Sequence, residues 1–286
     1  MTVQSLVLAV PAGATREQWV TFFEARGVRV WSLCPETAVA EGRLAIEDQQ
    51  LRWDGEDVLQ ADAAVVLQGG FMWPLPRVMP DEETWVAFRG QFDVYLRDES
   101  ESASLWLSAL EILTHRLPRV VNPQPVFAHA AMKPWAFDVL RAAGVPVLPQ
   151  LQSNDEEAVR AFAEAAPGEV LQLPLADDPG PVAWRSAEGL ADLDLTRDPV
   201  WLQAPAGTES LEIGVVGGRA VTEVPEDLGP ALTDLAEALS LGFGTVTFRP
   251  GDQGWAVSDF NPAPDVTAWP EAQRTDALEA LWHHLE

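Results

Sequence analysis

The chain has 286 residues, 47% of them hydrophobic and 22% charged, which is the balance of a globular protein that buries a sizeable core over two or three subdomains. The formal net charge of −26 disfavours nucleic acid and anionic membrane as partners, because affinity for both rests on neutralising negative charge. The sequence contains no apolar run of the length that a membrane span needs. The first apolar run is not preceded by a basic residue, so we expect a strand rather than a signal peptide, and a cytoplasmic protein.

Cysteine and lysine each occur only once in the sequence. The single cysteine, Cys34, excludes an internal disulfide and a thiolate metal cluster, and we expect it in or near the core. Lys133 is the only lysine beside the many arginines. Chance is one explanation for this placement, and the other is a site that needs a compact ammonium group, as phosphate-binding sites often do.

The N-terminal elements alternate between strand and helix, an order typical of a parallel sheet. The apolar stretch 71–80 holds three prolines, which predicts a loop. The predicted strands are 3–10, 28–31, a hairpin at 43–53, 63–67 and 119–122, and the predicted helices are 15–26, 82–95 and 103–114.

The second half begins with a predicted amphipathic helix at 127–143, with Gly144 as its C-cap. Short strands then dominate, which predicts an α+β C-terminal part behind an α/β N-terminal domain. The predicted strands are 145–148, 169–175, 181–185, 200–203, 211–216, 219–223, 245–249 and 255–260, and the remaining predicted helices are 156–165, 228–241 and 270–284.

Three segments carry motifs that occur in the same order in one known family. The first runs from Arg97-Asp98 through Asn122-Pro123 and Lys133 to residues 142–149. The second covers 200–219, with a hinge-like strand and a strand ending in Val-Val-Gly-Gly, and the third is the 241–262 hairpin. Together they resemble the ATP-grasp superfamily, in the branch of ribosomal-protein glutamate ligase and glutathione synthetase.

This resemblance implies an ATP-grasp fold behind an α/β N-terminal domain, divided at 1–120, 121–203 and 204–286. It also implies an ATP- and Mg²⁺-dependent ligase that activates a carboxylate as an acyl phosphate, which an amine then attacks. The partners would be small-molecule or peptide carboxylates and amines, and a homo-oligomer stays open.

The resemblance assigns Lys133 to the first nucleotide-binding lysine of the family. Gln172 stands where the second lysine is expected, and it could donate hydrogen bonds to phosphate without adding charge. The loop 176–180 replaces the glycine-rich phosphate loop of the family with two aspartates, one proline and one glycine. Gln203 and Pro205 belong to the hinge, which can present backbone groups to an adenine.

The same resemblance assigns Asp259 and Asn261 to the metal site, and their spacing of two on a strand puts both side chains on one face. A turn cap in Asp-Phe-Asn-Pro is the alternative. The first metal-binding aspartate of the family aligns with Thr247, and its γ-phosphate arginine aligns with Glu212. A shift of the alignment, with Arg219 or Arg249 entering the site, stays open.

A substrate cleft is predicted around Arg97, Asp98 and Arg249, and a solvated helix junction is the alternative for the first two. Three function classes follow: a ligase, a degenerate relative that binds or regulates, and an acidic scaffold. The resemblance supports the first class. The three exchanged charged positions support the second, because losing one electrostatic stabiliser of a transition state costs about 3 kcal/mol.

Overall fold

The structure is a computed structural model that describes residues 2–11, 13–35, 43–68, 82–173, 182–190 and 199–286, without the side chains of 82–96, 98 and 99. Two compact units make up the chain. Unit 1 comprises Met1–Gln124 with Leu285–Glu286, and unit 2 comprises Pro125–His284. The predicted loop at 71–80 and the predicted phosphate loop at 176–180 lie outside the described residues.

A four-stranded parallel sheet forms the centre of unit 1, in the order β2-β1-β6-β7. Its strands are β1 (Ser5–Ala9), β2 (Arg29–Leu33), β6 (Ala63–Val66) and β7 (Val120–Val121). Parallel strands need a crossover, which α1 (Ala14–Glu24) supplies between β1 and β2. The helix buries Trp19 and Phe23, so the predicted α/β N-terminal domain is confirmed.

Two further elements complete unit 1. The hairpin predicted at 43–53 is present as β3 (Leu44–Glu47) and β4 (Gln50–Trp53), joined by β5 (Glu56–Asp57). The helix α2 (Glu82–Arg116) runs for 35 residues, where two helices were predicted. That prediction was wrong because the polar stretch 96–102 contains no proline or glycine that would end a helix.

Unit 2 begins with two short helices and a small sheet. The helices are α3 (Gln124–Ala131), whose first residue belongs to unit 1, and α4 (Lys133–Ala142), and α5 (Glu156–Ala165) and α6 (Ala187–Leu190) follow. The sheet has the order β10-β9-β11-β8 and is antiparallel throughout. Its strands are β8 (Gln150–Ser153), β9 (Val170–Leu173), β10 (Ala183–Arg185) and β11 (Val200–Gln203).

A second antiparallel sheet follows, in the order β13-β12-β14-β15. It contains β12 (Leu211–Val216), β13 (Arg219–Ala220), β14 (Phe243–Gly251) and β15 (Gly254–Asn261), with the helices α7 (Leu228–Leu239) and α8 (Glu271–Leu285). One large core cluster joins this sheet to α4, α7 and the small sheet, through residues such as Phe137, Trp201 and Phe248.

Prolines explain two further differences from prediction in unit 2. The helix predicted at 127–143 is broken at Met132, because Pro134 lacks the N–H that would continue the α3 ladder. The strand predicted at 145–148 is reduced to an isolated bridge between Val147 and Val257, since neither Pro146 nor Pro149 can donate to a ladder. Gly144 follows α4 with φ of +81°, as its predicted place at the helix end requires.

None of the helices in the described part of the chain combines the length and the apolar character of a membrane span.

Candidate functional site

Lys133 is the first residue of α4, and the break before Pro134 determines where it points. Met132 is the N-cap residue, with a backbone outside the helical region and no capping side chain. The following turn closes through hydrogen bonds from the N–H groups of Trp135 and Ala136 to the Met132 carbonyl, at 3.0 and 3.1 Å. The helix therefore starts at the lysine and presents it at its end.

The Lys133 side chain is 17% exposed and forms an ion pair with the Asp259 carboxylate, which is 35% exposed. Its Nζ also lies 3.4 Å from the Phe260 carbonyl oxygen. The ammonium stands over two aromatic rings, 5.7 Å from the centroid of Phe260 and 6.0 Å from that of Trp201. Two residues that the sequence assigned separately, to phosphate and to metal, thus meet in one place.

Gln203 holds the end of β11 against β15 through a reciprocal pair of buried hydrogen bonds. Its Nε2 donates to the Ser258 carbonyl at 2.8 Å, and the Ser258 hydroxyl donates to its Oε1 at 2.7 Å. Ser258 is the extra residue of a bulge, because Phe248 pairs with Val257 while Thr247 pairs with Asp259. The Gln203 side chain therefore fixes the strand that carries Asp259.

In the hinge after β11, two backbone N–H groups already donate hydrogen bonds to carbonyls of the protein. The Ala204 N–H bonds to the Pro149 carbonyl at 3.0 Å, and the Ala206 N–H bonds to the Pro250 carbonyl at 2.7 Å. Pro205, which is buried, has no N–H. The predicted role of Gln203 and Pro205 in adenine binding stays a prediction, and the N–H groups of Ala204 and Ala206 are already used within the protein.

Glu212, Thr247 and Asp259 form one row across the second sheet. Glu212 on β12 pairs with Thr247 on β14, which in turn pairs with Asp259 on β15. Residues directly opposite each other in antiparallel strands point to the same face. Glu212 and Thr247, which the resemblance compares with an arginine and an aspartate of the family, therefore lie on the same face of the sheet as Asp259.

Asn261 lies on the same face as Asp259, opposite Thr245. Its side chain is exposed, and Oδ1 accepts a hydrogen bond from the Ala263 N–H at 2.9 Å, so the predicted turn cap is present. The Asp259 carboxylate accepts the Phe260 N–H at 2.8 Å through the same Oδ1 atom that meets Lys133. Carboxylate, amide and hydroxyl oxygens are the donors that Mg²⁺ prefers.

Within the described residues, no three histidine, cysteine or acidic side chains come together as a ready-made metal cluster. Asp259 and Asn261 would therefore hold a Mg²⁺ ion weakly by themselves. They fit an ion that draws its other ligands from water and from phosphate oxygens, which is how Mg²⁺ is usually bound beside a nucleotide.

Gln172 does not join this group. On β9 its neighbours Leu171 and Leu173 pair with Gln203 and Trp201 and pack into the same core cluster as Trp201, whose ring lies 6.0 Å from the Lys133 ammonium. Alternation along the strand turns Gln172 to the opposite face, where Val170 contacts α5. Its Oε1 accepts a hydrogen bond from the Arg185 Nε at 3.0 Å. The wall of the small sheet that faces Lys133 is consequently apolar at β9.

Arg249 lies on β14 beside the hinge. Its Nη1 donates to the carbonyls of Thr208 and Glu209 at 3.2 and 3.4 Å, and its guanidinium stands 5.5 Å from the ring centroid of Trp184. Its Nε is buried without a hydrogen-bond partner among the described residues. Part of this cation is removed from water, and this burial lowers the pKa of Arg249.

The other predicted residues lie elsewhere. Arg97 is exposed on α2 in unit 1, and the Asp98 side chain lies outside the described residues, so their assignment to a substrate cleft stays a prediction. Arg219 is exposed on β13. Burial, together with Arg219, lowers the pKa of the nearby His284. Cys34 is buried, as predicted.

Sequence reasoning missed Ser258 and Trp184. Ser258 stands between Val257 and Asp259 without a motif role of its own, and a bulge cannot be recognised from residue type. Trp184 belongs to β10. The Trp184 ring packs against the core cluster and also lies against the Arg249 guanidinium. This cation–π contact joins β10 to β14, two strands that are far apart in sequence.

No protein-family model matches the chain, and no curated protein matches it. Solved structures do. The ATP-grasp ligase PsnB, complexed with precursor peptide PsnA2 and AMPPNP, is similar at a TM-score of 0.78 and 18% identity, covering 100% of this chain and 99% of PsnB. The macrocyclase MdnC from Microcystis aeruginosa MRC, bound with precursor peptide MdnA, has a TM-score of 0.71 at 17% identity, covering 98% of each chain.

A RimK domain ATP-grasp protein from Sphaerobacter thermophilus DSM 20745 is also similar, with a TM-score of 0.62 and 18% identity over 98% of this chain and 99% of that one. Across these structures the likeness extends over the whole chain. The protein therefore has the ATP-grasp fold, as the sequence motifs implied.

Proposed function

We propose that this protein is an ATP- and Mg²⁺-dependent ligase that joins a carboxylate to an amine on a peptide substrate. The observation that carries the proposal is the meeting of its only lysine, Lys133, with Asp259 at the edge of the second sheet. The whole-chain likeness to ATP-grasp ligases supports it.

The residues at this place suit a nucleotide with its metal. Lys133 offers a flexible ammonium for phosphate oxygens. Asp259 and Asn261 offer oxygen ligands on one face of β15 for a Mg²⁺ ion, which would bridge protein and phosphate. PsnB has been captured with AMPPNP in one complex and with Mg and ADP in another, a pairing of ligands that we carry to this site as part of the proposal.

The chemistry assigned to the site is acyl transfer through a mixed anhydride. A substrate carboxylate oxygen attacks the γ-phosphorus of ATP, the bond to the bridging oxygen breaks, and ADP leaves. An amine nitrogen then attacks the acyl carbon, phosphate leaves, and the nitrogen loses a proton to give the amide. Little covalent work falls to the protein, because positioning and charge neutralisation dominate such transfers.

A peptide is the favoured substrate class. PsnB and MdnC are both described in complex with precursor peptides, and MdnC is named a macrocyclase. Cyclisation requires the carboxylate and the amine to belong to one peptide chain. We therefore propose that the donor is an acidic side chain of a peptide that also carries an amine.

Hydroxylamine trapping tests this function directly. The protein is incubated with ATP, Mg²⁺ and a pool of peptides rich in aspartate and glutamate, with hydroxylamine as a surrogate amine. We expect ADP and peptide hydroxamates, both read by mass spectrometry, and neither product without ATP. If the protein binds nucleotide tightly but yields no ADP above the rate in buffer, the function is a binding one and the ligase proposal fails.

A further inference from the structure

The Lys133–Asp259 ion pair joins the two groups that the proposed function assigns to different ligands. The lysine is assigned to nucleotide phosphate and the aspartate to Mg²⁺. In the structure each neutralises the other, and both side chains are more than half removed from solvent. A ligand that binds one of these side chains therefore leaves the charge of the other without its counter-ion.

Neither ligand satisfies both groups by itself. A nucleotide that takes the Lys133 ammonium leaves the Asp259 carboxylate without its counter-ion and close to anionic phosphate. A Mg²⁺ ion that takes Asp259 leaves the ammonium beside a divalent cation. Leaving one partner of a partly buried pair uncompensated is unfavourable, and the added like charge raises that cost.

Together the two ligands satisfy every charge. Lys133 meets phosphate, Asp259 meets the metal, and the metal meets phosphate. We infer that the Lys133–Asp259 pair couples Mg²⁺ and nucleotide binding, so that each ligand binds well only with the other. This inference rests on the proposed function, and by linkage the coupling is the same in both directions.

The neighbouring side chains strengthen this coupling. Glu212 lies in the same row of the sheet as Asp259 and is exposed, so it adds negative charge to the face that nucleotide alone would approach. The rings of Phe260 and Trp201 beside the lysine offer no full negative charge to replace the lost carboxylate. Among the described residues, Lys133 and Asp259 therefore neutralise mainly each other's charge.

The test is calorimetric titration of the full chain with ATP, once with Mg²⁺ and once with EDTA. In the unmodified protein we expect Mg²⁺ to strengthen ATP binding by at least roughly tenfold, within the usual range of coupling between sites. Asp259→Asn should bind metal-free ATP more tightly than the unmodified protein does, and its metal dependence should shrink towards none. An asparagine can still accept the Phe260 N–H through its Oδ1 atom.

Asp138→Asn is the matched control. Asp138 lies on the same helix as Lys133, is 73% exposed and pairs with Arg141, so the variant changes net charge equally without touching the site. We expect its ATP affinity and metal dependence to equal those of the unmodified protein. An equal gain in metal-free binding for Asp138→Asn would assign the effect to net charge and overturn the inference.

A second measurement needs no nucleotide. Because Lys133 is the only lysine, its acetylation by an amine reagent can be followed by peptide mass spectrometry. We expect Lys133 to react several-fold faster in Asp259→Asn than in the unmodified protein or in Asp138→Asn. Equal rates in all three would show that the pair does not hold the amine, and the coupling would fail.

The failures are distinguishable. If the unmodified protein binds ATP equally well with Mg²⁺ and with EDTA, the coupling is wrong while nucleotide binding stands. If no variant binds ATP with Mg²⁺, the proposed function fails, and the coupling fails with it.

Discussion

The two sheets of unit 2 present different chemistry to Lys133. On the second sheet, β15 offers a carboxylate and an exposed amide, and the adjoining strands extend the polar row through Thr247 and Glu212. On the small sheet, β9 offers Leu171 and Leu173, both packed in the core. One wall is polar and the other is apolar at its centre.

This contrast indicates how a nucleotide would be held. Under the proposed function, charge neutralisation comes mainly from Lys133 and from a metal ion held at Asp259, because β9 contributes only apolar side chains to the core cluster. The polar side chain of that strand, Gln172, faces away and bonds to Arg185. A site with one charged wall depends more heavily on each of its charges than a site lined by cations on both sides.

Removing the single lysine should break the contrast and have the largest effect. We expect Lys133→Met to weaken ATP binding in Mg²⁺ by roughly 100-fold, about 3 kcal/mol, since it removes the charge contact to phosphate. Calorimetry measures it. Arg141→Met, an exposed cation on the same helix, is the matched control and should bind like the unmodified protein.

Cutting the link between the two walls should lower stability. Gln203→Leu leaves the Ser258 carbonyl and hydroxyl buried without their partners, which costs about 2 kcal/mol of unfolding free energy. Urea unfolding followed by tryptophan fluorescence measures the change. The exposed Gln253→Leu should leave the curve unmoved, and an equal loss for both variants would mean that the buried pair contributes nothing.

Adding a cation to the polar wall should sharpen the contrast. Glu212→Arg replaces an exposed carboxylate in the Asp259 row, and we expect ATP·Mg²⁺ to bind roughly tenfold more tightly, about 1.4 kcal/mol. Glu226→Arg makes the same charge change at another exposed position and should gain much less. A fall in affinity for Glu212→Arg would count against the alignment of this strand.

Adding a cation on the far face of the small sheet should do nothing. Gln172→Lys restores the residue type that the family resemblance led us to look for at this position. Because the side chain points away from Lys133, we expect ATP affinity to change less than about twofold. Titration of this variant beside Glu212→Arg compares the two walls directly, and a strengthened affinity would show that Gln172 faces the nucleotide.

The sequence predicted the larger part of the fold, because its local signals agree with its packing. The strands 200–203 and 211–216 and the helix 156–165 have the predicted bounds. In these three segments apolar alternation and helix periodicity are sufficient. The errors come from breakers: the ring of Pro134 split one helix, and the missing breaker between 95 and 103 joined two.

The candidate site was less predictable than the fold. The scarcity of lysine pointed to Lys133, and motif order pointed to Asp259, but nothing in the sequence indicated that the two side chains touch. The face of the sheet on which the Gln172 side chain lies depends on the register of β9. A shift of the strand by one residue would move the side chain to the other face. The Gln203–Ser258 contact depends on a bulge, which has no signature in residue type.

The most direct test of a nucleotide site at Lys133 and Asp259 is titration of the protein with AMPPNP in the presence of Mg²⁺, beside the same titration of Lys133→Met. We predict micromolar binding to the unmodified protein and near loss of binding in the variant. Absence of binding at millimolar AMPPNP, or equal binding to both proteins, would contradict the assignment of the only lysine and its aspartate partner to a nucleotide site.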